Sequence, residues 1–532
     1  MKTKKIRILA LAMALLTTLT ACGQTAEPES SEPVAVLPGE ELGIGDAADE
    51  VFSLNYNSSA SLNPYATDDV NNILISQLVF DNVFELDENY NLTSRIIESY
   101  EVSANGMYWT FTIKEGIPMH DGSTLTAYDV AYSISLARRT SRYSGRFICM
   151  YGASASDNLT FHISTTKAHT MLPYLLTVPV IKDGSANQTR PVGTGPYMYV
   201  EGADYVQAFE NYGSTLPVDR VYLKEYTETE SIITAFEDSY IDLVLNDTSS
   251  TSNLGYGGNT ETRYYTTTNM HFFGFNMASP LMSMPNVRYA MSLAVDRDYA
   301  ADTLMQGSAV ASALPISPMS PLYDESVASQ LSYDMSLCQQ VLTAAGVSDM
   351  DNDGQLEYLS YSVMQDAEID LIVCSQSDGK GDVCNKLADD LASIGFTVNV
   401  RELSWADYQA ALADMDGDGQ PDGDFDMYYA EVKLGADFDL TALLSEEGSM
   451  NYGNIADENY ATYINNYLAA DDLTRQSVCY QMLLYIAQNA PIIPVCFERH
   501  EVITHRNVIT GIEVTSSNVF YNISEWTIKF SD

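Results

Sequence analysis

A helix that ends at a glycine and runs directly into a strand is the feature that most limits how this chain can fold. Leu387, Leu391 and Ile394 fall at helical spacing, and Gly395 follows where a left-handed residue commonly ends a helix. Residues 396–400 then alternate between apolar and polar side chains, as a half-buried strand does. Helix, glycine and strand in this order are typical of α/β architecture. The sequence therefore predicts an α/β fold.

Local signals of the same kind recur along the chain. Residues 109–114 alternate as a strand, and Thr126 with Asp129 three positions later is the pattern of a helix that begins with a capping box. Apolar stripes at helical spacing predict further helices around 287–294, 337–345 and 478–486. The body of several hundred residues is long enough for two or three domains.

The N-terminus resembles a secretory leader. Four cations lie in the first seven residues, and the apolar run 8–19 is too short to span a bilayer comfortably. Small residues and Cys22 follow, in a string that resembles the bacterial lipobox. Residues 1–21 are thus predicted to be a lipoprotein signal peptide and Cys22 to be diacylated; an ordinary cleavage site beside an accidental cysteine is the alternative. Residues 22–49, rich in Glu, Pro, Ser, Ala and Gly, are predicted to be a flexible tether.

The charge of the chain excludes one class of partner. The formal net charge is −46, and loss of the leader's cations makes the remainder about −50. A polyanion of this size does not bind nucleic acid nonspecifically. Anionic membrane surfaces also repel it, so the lipid on Cys22 is expected to hold the protein at the membrane.

Six short strings spread over the chain form a set. They are SLNPY at 61–65, WTFTIKEGIPMHDGSTLTAYDV at 109–130, VGTGPY at 192–197, VRYA at 287–290 with DR at 296–297, AAG at 344–346 with IGFTV at 394–398, and APIIP at 490–494. In this order they resemble the bacterial extracellular solute-binding family 5, the oligopeptide-, dipeptide- and nickel-binding proteins of ABC importers. Most of the matched residues are turns, caps and core, so they indicate the fold and not the ligand.

The resemblance implies a large type II periplasmic-binding-protein-like fold. Two α/β lobes would be joined by a hinge, with an extra domain inserted in the first lobe and the ligand held in the cleft between the lobes. The expected boundaries are 50–70, 185–268 and 497–532 for lobe I, 71–184 for the inserted domain, and 269–496 for lobe II.

The same resemblance implies a function. The chain would be an extracytoplasmic binding protein; the lipobox-like string adds a lipid anchor in the cell membrane, and the Glu/Pro/Ser-rich tether favours a Gram-positive cell surface. It would be a monomer that captures short peptides and delivers them to the permease subunits of an ABC importer. It would carry out no reaction and need no cofactor; whether a structural calcium ion binds depends on two aspartate-rich turns.

One acidic loop supplies the candidate ligand residue. In peptide-binding members of the family, an aspartate in a string like Ala-Asp-Tyr pairs with the α-amino group of the peptide, and Asp437 falls at the matching position. A buried carboxylate needs a cationic partner, which every unblocked peptide supplies. The family's proline is missing after this aspartate, so Asp439 stays an alternative. Trp405 and Tyr428 are candidates for lining the cleft, with core packing as the preferred role of each.

Other ligands and roles stay open. The same scaffold could hold nickel, a modified peptide or an oligosaccharide, or the protein could be a calcium-dependent surface adhesin or sensor. Nickel favours imidazole ligands. The six histidines are scattered along the sequence, which disfavours this metal.

Two aspartate ladders resemble the first half of a calcium loop. Oxygen ligands at alternate positions on a tight glycine turn suit a hard cation. The twelfth positions, Ser360 and Phe425, lack the bidentate glutamate of an EF-hand, and a solvated acidic turn is the alternative. The candidate ligands of a structural calcium are Asp349, Asp351 and Asp353 in the first ladder, and Asp414, Asp416, Asp418 and Asp422 in the second.

The remaining reactive residues do not form a catalytic motif. His500 and His505 flank a near match to the zinc-protease pattern, but the spacing of five would separate them by about 140° on a helix. Six cysteines besides Cys22 are scattered without a CxxC pair. Cys374 and Cys384 could bridge a short loop, but buried free thiols are the preferred interpretation.

Overall fold

The computed structural model of the protein describes residues 51–246, 255–375, 379–414 and 421–530. The strands are β1 (Phe52–Asn55), β2 (Glu85–Leu86), β3 (Leu92–Thr93), β4 (Ile97–Val102), β5 (Tyr108–Ile113), β6 (Met150–Ala155), β7 (Thr160–Thr165), β8 (Tyr197–Tyr199), β9 (Tyr205–Ala208), β10 (Arg220–Lys224), β11 (Leu243–Asn246), β12 (Thr260–Phe275), β13 (Ala309–Ala311), β14 (Glu357–Ser360), β15 (Val363–Asp366), β16 (Glu368–Cys374), β17 (Thr397–Leu403), β18 (Met427–Lys433), β19 (Ile492–His505), β20 (Ile509–Thr510) and β21 (Thr527–Ile528).

The α-helices are α1 (Val70–Val79), α2 (Ala127–Ala137), α3 (Ser141–Ser144), α4 (Leu172–Leu175), α5 (Thr229–Glu237), α6 (Pro285–Leu293), α7 (Arg297–Tyr299), α8 (Glu325–Ala328), α9 (Met335–Ala344), α10 (Lys380–Ala392), α11 (Trp405–Leu412), α12 (Thr441–Leu444), α13 (Glu458–Ala469) and α14 (Arg475–Asn489). Strands and helices alternate along much of the described chain, so the predicted α/β class is correct.

A single large sheet organises most of these elements. Its strand order is β17-β16-β18-β12-β19-β11-β1-β10-β9-β8, and β13 pairs with β19 at one side. β16 runs parallel to β17 and β18, and β1 runs parallel to β10 and β11, whereas β12 and β19 are antiparallel to each other. The sheet is therefore mixed, with a parallel group on each side of two long central strands.

The two central strands, β12 and β19, connect the parallel group of β16, β17 and β18 to the parallel group of β1, β10 and β11. The C-terminal part of β12, from Asn269, pairs with β18, whereas the C-terminal part of β19 pairs with β11. Where the halves meet, the register of β12 against β19 is interrupted between Thr266 and Met270. The predicted boundaries at 268/269 and 496/497 fall close to this interruption, and the domain limits stay predictions.

A separate antiparallel sheet lies within residues 97–165. Its strand order is β4-β5-β7-β6, and α2 packs on β6 and β7 around a buried apolar cluster that includes Phe111 and Phe161. α2 begins where the sequence predicts, with a capping box at its first turn. The Thr126 backbone N–H donates to Asp129 Oδ2 at 2.8 Å, and the Asp129 N–H donates to the Thr126 side chain.

The predicted helix, glycine and strand around Gly395 are present in the structure. α10 ends at Ala392, Gly395 has a φ of +105°, and β17 begins two residues later. Gly395 also lies against the carbonyl oxygen of Gly354, 3.0 Å from where a Cβ would stand. Both the left-handed backbone and the lack of space explain the glycine.

Two further predictions concern the cysteines and the N-terminus. The six cysteines from Cys149 to Cys496 are free thiols, and four of them are buried. In the described part of the chain, no helix is both long enough and apolar enough to cross a membrane. The signal peptide, Cys22 and the tether lie outside the described residues.

Candidate ligand-binding site

The candidate aspartate lies in the loop that follows β18. Strands β16, β17 and β18 are parallel to one another, so their carboxyl ends meet at one edge of the sheet. In open α/β sheets, ligands bind in the crevice outside the carboxyl ends of the strands. The loop 434–440 leaves β18 at this edge, which places Asp437 where this type of sheet binds its ligands.

Asp437 is a buried carboxylate with a histidine as its partner. Its Oδ2 lies 2.9 Å from His169 Nε2, and both side chains are almost fully buried. An ionised carboxylate only accepts hydrogen bonds, so the imidazole N–H donates. The other oxygen, Oδ1, receives a long bond of 3.4 Å from the Asp439 N–H. Oδ2 is therefore firmly hydrogen-bonded, whereas Oδ1 could accept a shorter hydrogen bond from another donor.

Gly435 leaves space for this carboxylate. A Cβ on Gly435 would lie 2.3 Å from Asp437 Oδ1 and 3.0 Å from a methyl carbon of Leu175. The hydroxyl of Tyr467 donates to the backbone oxygen of Asp437 at 2.6 Å and fixes the loop from the other side. The glycine in the Gly-Ala-Asp string is thus a requirement of packing against Asp437.

Asp439, the alternative, has a local role in the structure. Its Oδ1 accepts the N–H of Thr441 at 2.9 Å and also the Thr441 hydroxyl, at the start of the short helix α12. Its Oδ2 lies 3.6 Å from Lys167 Nζ. These bonds occupy both oxygens of the partly exposed Asp439, whereas Asp437 is buried and has one firmly bonded oxygen, held by His169.

The segment 167–170, between β7 and α4, faces this loop. Besides the contacts of Lys167 and His169, the Thr170 N–H donates to the Leu468 carbonyl at 2.7 Å. The backbone of His169 is itself fixed, since its N–H donates to Gly106 O and its carbonyl accepts from Trp109 Nε1. A part of the predicted inserted domain therefore meets the predicted second lobe directly at Asp437.

A second polar cluster lies beside the interruption in the central strands. His271 Nε2 is 2.7 Å from Glu498 Oε1 and 3.5 Å from Glu431 Oε2. Asn269 donates to the other oxygen of Glu498, and Lys380 Nζ lies 2.7 Å from Glu431 Oε2. Burial alone would raise the pKa of Glu498, but the hydrogen bond and charge of His271, together with Asn269, lower it to about 2. The cluster is an internally satisfied network.

The first aspartate ladder forms a compact group of carboxylates. Oxygens of Asp349, Asp351, Asp353 and Glu357 lie within 4.8 Å of one another. The three aspartates are exposed, whereas Glu357 is buried and accepts the Met350 N–H at 2.6 Å. Glu357 stands at the ninth position of the loop, whereas the calcium-loop pattern predicts a glutamate at the twelfth, so the pattern does not identify it.

The second ladder is only partly visible. Asp416 and Asp418 lie outside the described residues, and Asp414 and Asp422 stand on either side of them. The N–H of Asp422 donates to the Ala413 carbonyl at 2.7 Å, so the two ends of the ladder are close. Calcium binding at either ladder stays a prediction.

The sequence matches the family described as "Bacterial extracellular solute-binding proteins, family 5 Middle" over residues 91–443, which is more than half of the chain. The chain belongs to this family. The predicted family and the large periplasmic-binding-protein fold are thus confirmed.

Relatives with known names or structures agree with this placement. The oligopeptide-binding protein AppA of Bacillus subtilis (strain 168) is 22% identical over an alignment 563 positions long, which covers 99% of each chain. The structure of HbpA2 from Haemophilus parasuis matches with a TM-score of 0.72 at 18% identity, over 90% of this chain and 100% of that one. The structure of Bacillus subtilis AppA in complex with a nonapeptide matches with a TM-score of 0.57 at 18% identity, over 90% and 98%. At these identities the structures show the fold.

Two aromatic residues of this family 5 protein were candidates for lining the cleft, with core packing preferred for each. Tyr428 is buried, and its ring would overlap any Cβ on Gly274, so it is a core residue. Trp405 is 51% exposed at the first turn of α11, which follows β17 directly. It lies near the same sheet edge as Asp437, and the preference for core packing is wrong for this residue.

Proposed function

We propose that this family 5 protein is the extracytoplasmic substrate-binding lipoprotein of an ABC importer, and that it captures short peptides and delivers them to the permease. The observation that carries the peptide assignment is the buried carboxylate of Asp437 at the sheet edge. The name of the Bacillus subtilis relative, an oligopeptide-binding protein, supports the same ligand class.

Asp437 would bind the α-amino group of the peptide. A buried carboxylate without a cationic or hydrogen-bonding partner is strongly destabilised, and here His169 fulfils that need at Oδ2. An ammonium group carries three N–H donors. It would bind at Oδ1, whose present bond of 3.4 Å is weak, and share the carboxylate with His169.

The remainder of the peptide would be bound through its backbone. Strand-like hydrogen bonds to main-chain groups are common to all peptides, so they give affinity without strong dependence on sequence. This mode of binding needs no covalent step, and we propose that the protein releases its ligand unchanged to the importer.

The N-terminal signal supports attachment to the membrane. We propose that Cys22 is diacylated and holds a monomeric protein on the outer face of the cell membrane of a Gram-positive bacterium, with residues 22–49 as the tether. Two acyl chains anchor a protein stably where a single chain does not. Labelling with a radioactive fatty acid, in the natural chain and in Cys22→Ser, tests this proposal.

We also propose that the carboxylate group of Asp349, Asp351, Asp353 and Glu357 binds a structural calcium ion. Four carboxylates within 4.8 Å of one another repel each other, and a divalent cation relieves this repulsion. The loop is distant in sequence from Asp437, and its proposed role is stability and not ligand capture.

The central test is stabilisation of the purified protein by peptides with a free or an acetylated N-terminus. The protein is first unfolded and refolded, so that no copurified ligand remains. A ligand that binds only the folded state stabilises it by about 2.7 kcal/mol at a hundredfold excess over its dissociation constant. Free peptides are expected to raise the melting temperature, and acetylated peptides are not.

Two matched variants assign the amine to its carboxylate. Asp437→Asn should abolish stabilisation by free peptides, whereas Asp439→Asn, the same change two residues away, should retain it. Loss in Asp439→Asn alone would transfer the role to Asp439. If no peptide stabilises the refolded natural protein, the peptide assignment is wrong, and nickel, modified peptides and oligosaccharides become the ligands to screen.

A further inference from the structure

A cavity of about 510 Å³ with many polar side chains in its walls lies among residues 77–95, 212–214 and 518–524. Cavities that hold small molecules typically measure about 300–1,000 Å³, so this one is large enough for a ligand. All of its lining residues belong to the predicted first lobe and inserted domain, whereas Asp437 belongs to the predicted second lobe. The cavity is therefore not part of the site at Asp437.

The hairpin of β2 and β3 stands between this cavity and the loop of Asp437. Successive residues of a strand point to opposite faces. Leu86 packs in the same apolar cluster as Phe438, whereas its neighbour Glu85 lines the cavity. Near the turn of the hairpin, the ring centres of Tyr90 and Phe438 are 5.5 Å apart. One face of the hairpin thus contacts the Asp437 loop, and the other forms a wall of the cavity.

The walls of the cavity are joined by hydrogen bonds between distant segments. Gln77 Oε1, on α1, accepts the Val519 N–H at 2.8 Å. Asn518 Nδ2, in the C-terminal segment, donates to Glu85 Oε1 of the hairpin at 2.8 Å. These contacts fix three segments around the empty space, so a ligand would meet a largely preformed site.

Two of the charges in the cavity wall neutralise each other. Asp81 Oδ2 lies 2.7 Å from Arg95 Nη1. The guanidinium of Arg95 also donates to the Tyr212 carbonyl at 2.8 Å, and it lies 4.1 Å from the centre of the Tyr212 ring. Asp81 and Arg95 therefore form a pair without net charge, and the contacts of Arg95 hold it in the wall.

Glu85 is the acid of the cavity that lacks a cation. Its Oε1 accepts from Asn518, whereas Oε2 has no hydrogen-bond donor among the described residues. Within the same ranges, no Lys, Arg or His nitrogen lies within 4.0 Å of this carboxylate. Burial raises the pKa of Glu85 to about 7, the bond from Asn518 opposes this change, and the charge of Asp81 adds to it. A cation in the cavity would stabilise the ionised carboxylate.

We propose that this cavity is a second ligand site, which binds a small organic monocation such as a primary amine through the carboxylate of Glu85. The ammonium group would donate to the free Oε2. Phe520 and Tyr521 line the same cavity and offer apolar surface to the remainder of the ligand. The site is additional to peptide capture and does not rest on the proposed function.

Isothermal titration with amines and their neutral analogues tests this site on the refolded protein. Ethanolamine, butylamine and tyramine are each compared with the alcohol that carries a hydroxyl in place of the ammonium. At least one amine is expected to bind with a dissociation constant on the order of 1 mM or lower. Its alcohol should bind at least about tenfold more weakly, because it lacks the positive charge.

Matched variants assign the amine to its carboxylate. Glu85→Gln keeps an oxygen for Asn518 and removes the charge, so it should weaken amine binding at least about tenfold and leave peptide binding unchanged. Glu88→Gln is the control, because Glu88 is exposed on the same hairpin and lies outside the cavity wall. It should bind the amine like the natural protein. Asp437→Asn should also retain amine binding, since a free amine could otherwise bind at the peptide site.

The pH dependence of amine binding supplies a measurement on the natural protein, which holds even if Glu85→Gln does not fold. The other titratable groups that line the cavity are Asp81, Arg95, Tyr212 and Tyr521. With a pKa of about 7, Glu85 is mostly protonated at pH 6 and mostly ionised at pH 8, while the amines stay charged at both. Affinity should therefore be about tenfold higher at pH 8.

The outcomes separate this site from the proposed function. Amine binding that is lost in Glu85→Gln and kept in Asp437→Asn supports the site. Loss of amine binding in Asp437→Asn would assign the amine to the peptide site and overturn the inference. Equal binding of amines and alcohols, equal affinity at pH 6 and pH 8, or no binding of any amine would also overturn it. None of these results changes the test of peptide capture, which uses peptides as ligands.

Discussion

The imidazole of His169 and the carboxylate of Asp437 meet at 2.9 Å although 268 residues separate them in sequence. Both side chains are almost fully buried, and the contact joins a loop that follows β7 to the loop that follows β18. The pair therefore connects a segment of the predicted inserted domain to the predicted second lobe at the residue proposed to bind the peptide.

Loss of the imidazole should destabilise the protein. His169→Ala leaves the Asp437 carboxylate buried without its hydrogen-bond donor, and breaking a buried pair in this way costs about 3 kcal/mol. Urea unfolding at pH 7 measures this change. His162→Ala is the control. His162 lies half-buried in β7, the strand that precedes the loop of His169, and its ring contacts Tyr108 and Thr110. A loss in His169→Ala no greater than in the control would show that the pair contributes nothing to stability.

Substitution of Gly435 should weaken peptide binding. In Gly435→Ala the new methyl group would lie 2.3 Å from Asp437 Oδ1, so the carboxylate must move away from its position beside His169. We expect affinity for free peptides to fall at least about tenfold by titration calorimetry. Gly255→Ala, where a Cβ meets nothing within 4 Å, should bind like the natural protein. Unchanged affinity in Gly435→Ala would argue against Asp437 as the amine site.

The stability conferred by Glu498 should depend on pH. Its pKa is about 2 in the folded protein, below the ordinary value of 4.5, so the folded state favours the ionised form. This stabilisation is complete above about pH 5 and is lost as the pH falls through 4.5 toward 2. Glu498→Gln should therefore be less stable than the natural protein by up to about 3 kcal/mol at pH 7, with the difference shrinking at pH 3.

Chemical unfolding of both proteins at each pH measures this difference. Glu447→Gln, the same change at an exposed position, controls for the loss of one negative charge. A difference between Glu498→Gln and the natural protein that stays constant from pH 7 to pH 3 would contradict the lowered pKa.

Calcium should stabilise the protein through the Asp349–Glu357 loop. Extracellular calcium modules bind with dissociation constants of about 10⁻⁴ to 10⁻³ M. With a constant at the tighter end, 10 mM calcium would add about 2.7 kcal/mol. Differential scanning calorimetry with calcium, and with chelator, should show this gain in the natural protein and not in Glu357→Gln. Glu368→Gln, at an exposed position on β16, should respond like the natural protein. No response in the natural protein would exclude a functional calcium site there.

Local structure was predictable where the signals lie within a few residues of each other. The capping box of Thr126 and Asp129, and the glycine at 395 between helix and strand, act over three to five residues and folded as expected. The family resemblance gave the fold for the same reason, because its strings are turns and caps. Nothing in the sequence links His169 to Asp437, since that contact depends on how the whole sheet brings distant loops together.

The exposure of Trp405 also depends on the fold and not on local signals in the sequence. Core packing is the preferred role of Trp405 from the sequence alone, with cleft lining as the alternative. Its position directly after β17, at the edge where the parallel strands end, leaves it half exposed.

The chain's last long strand completes the sheet that its first strand begins. β1 and β10 reach the central strands only through β11, and β11 pairs on its other side with residues 501–504 of β19. During synthesis, the edge of β11 therefore stays open until nearly the whole chain is available. The proposed signal peptide implies export of an unfolded precursor, and this order of assembly would suit such export because the first half cannot close its sheet before residues 501–504 are available.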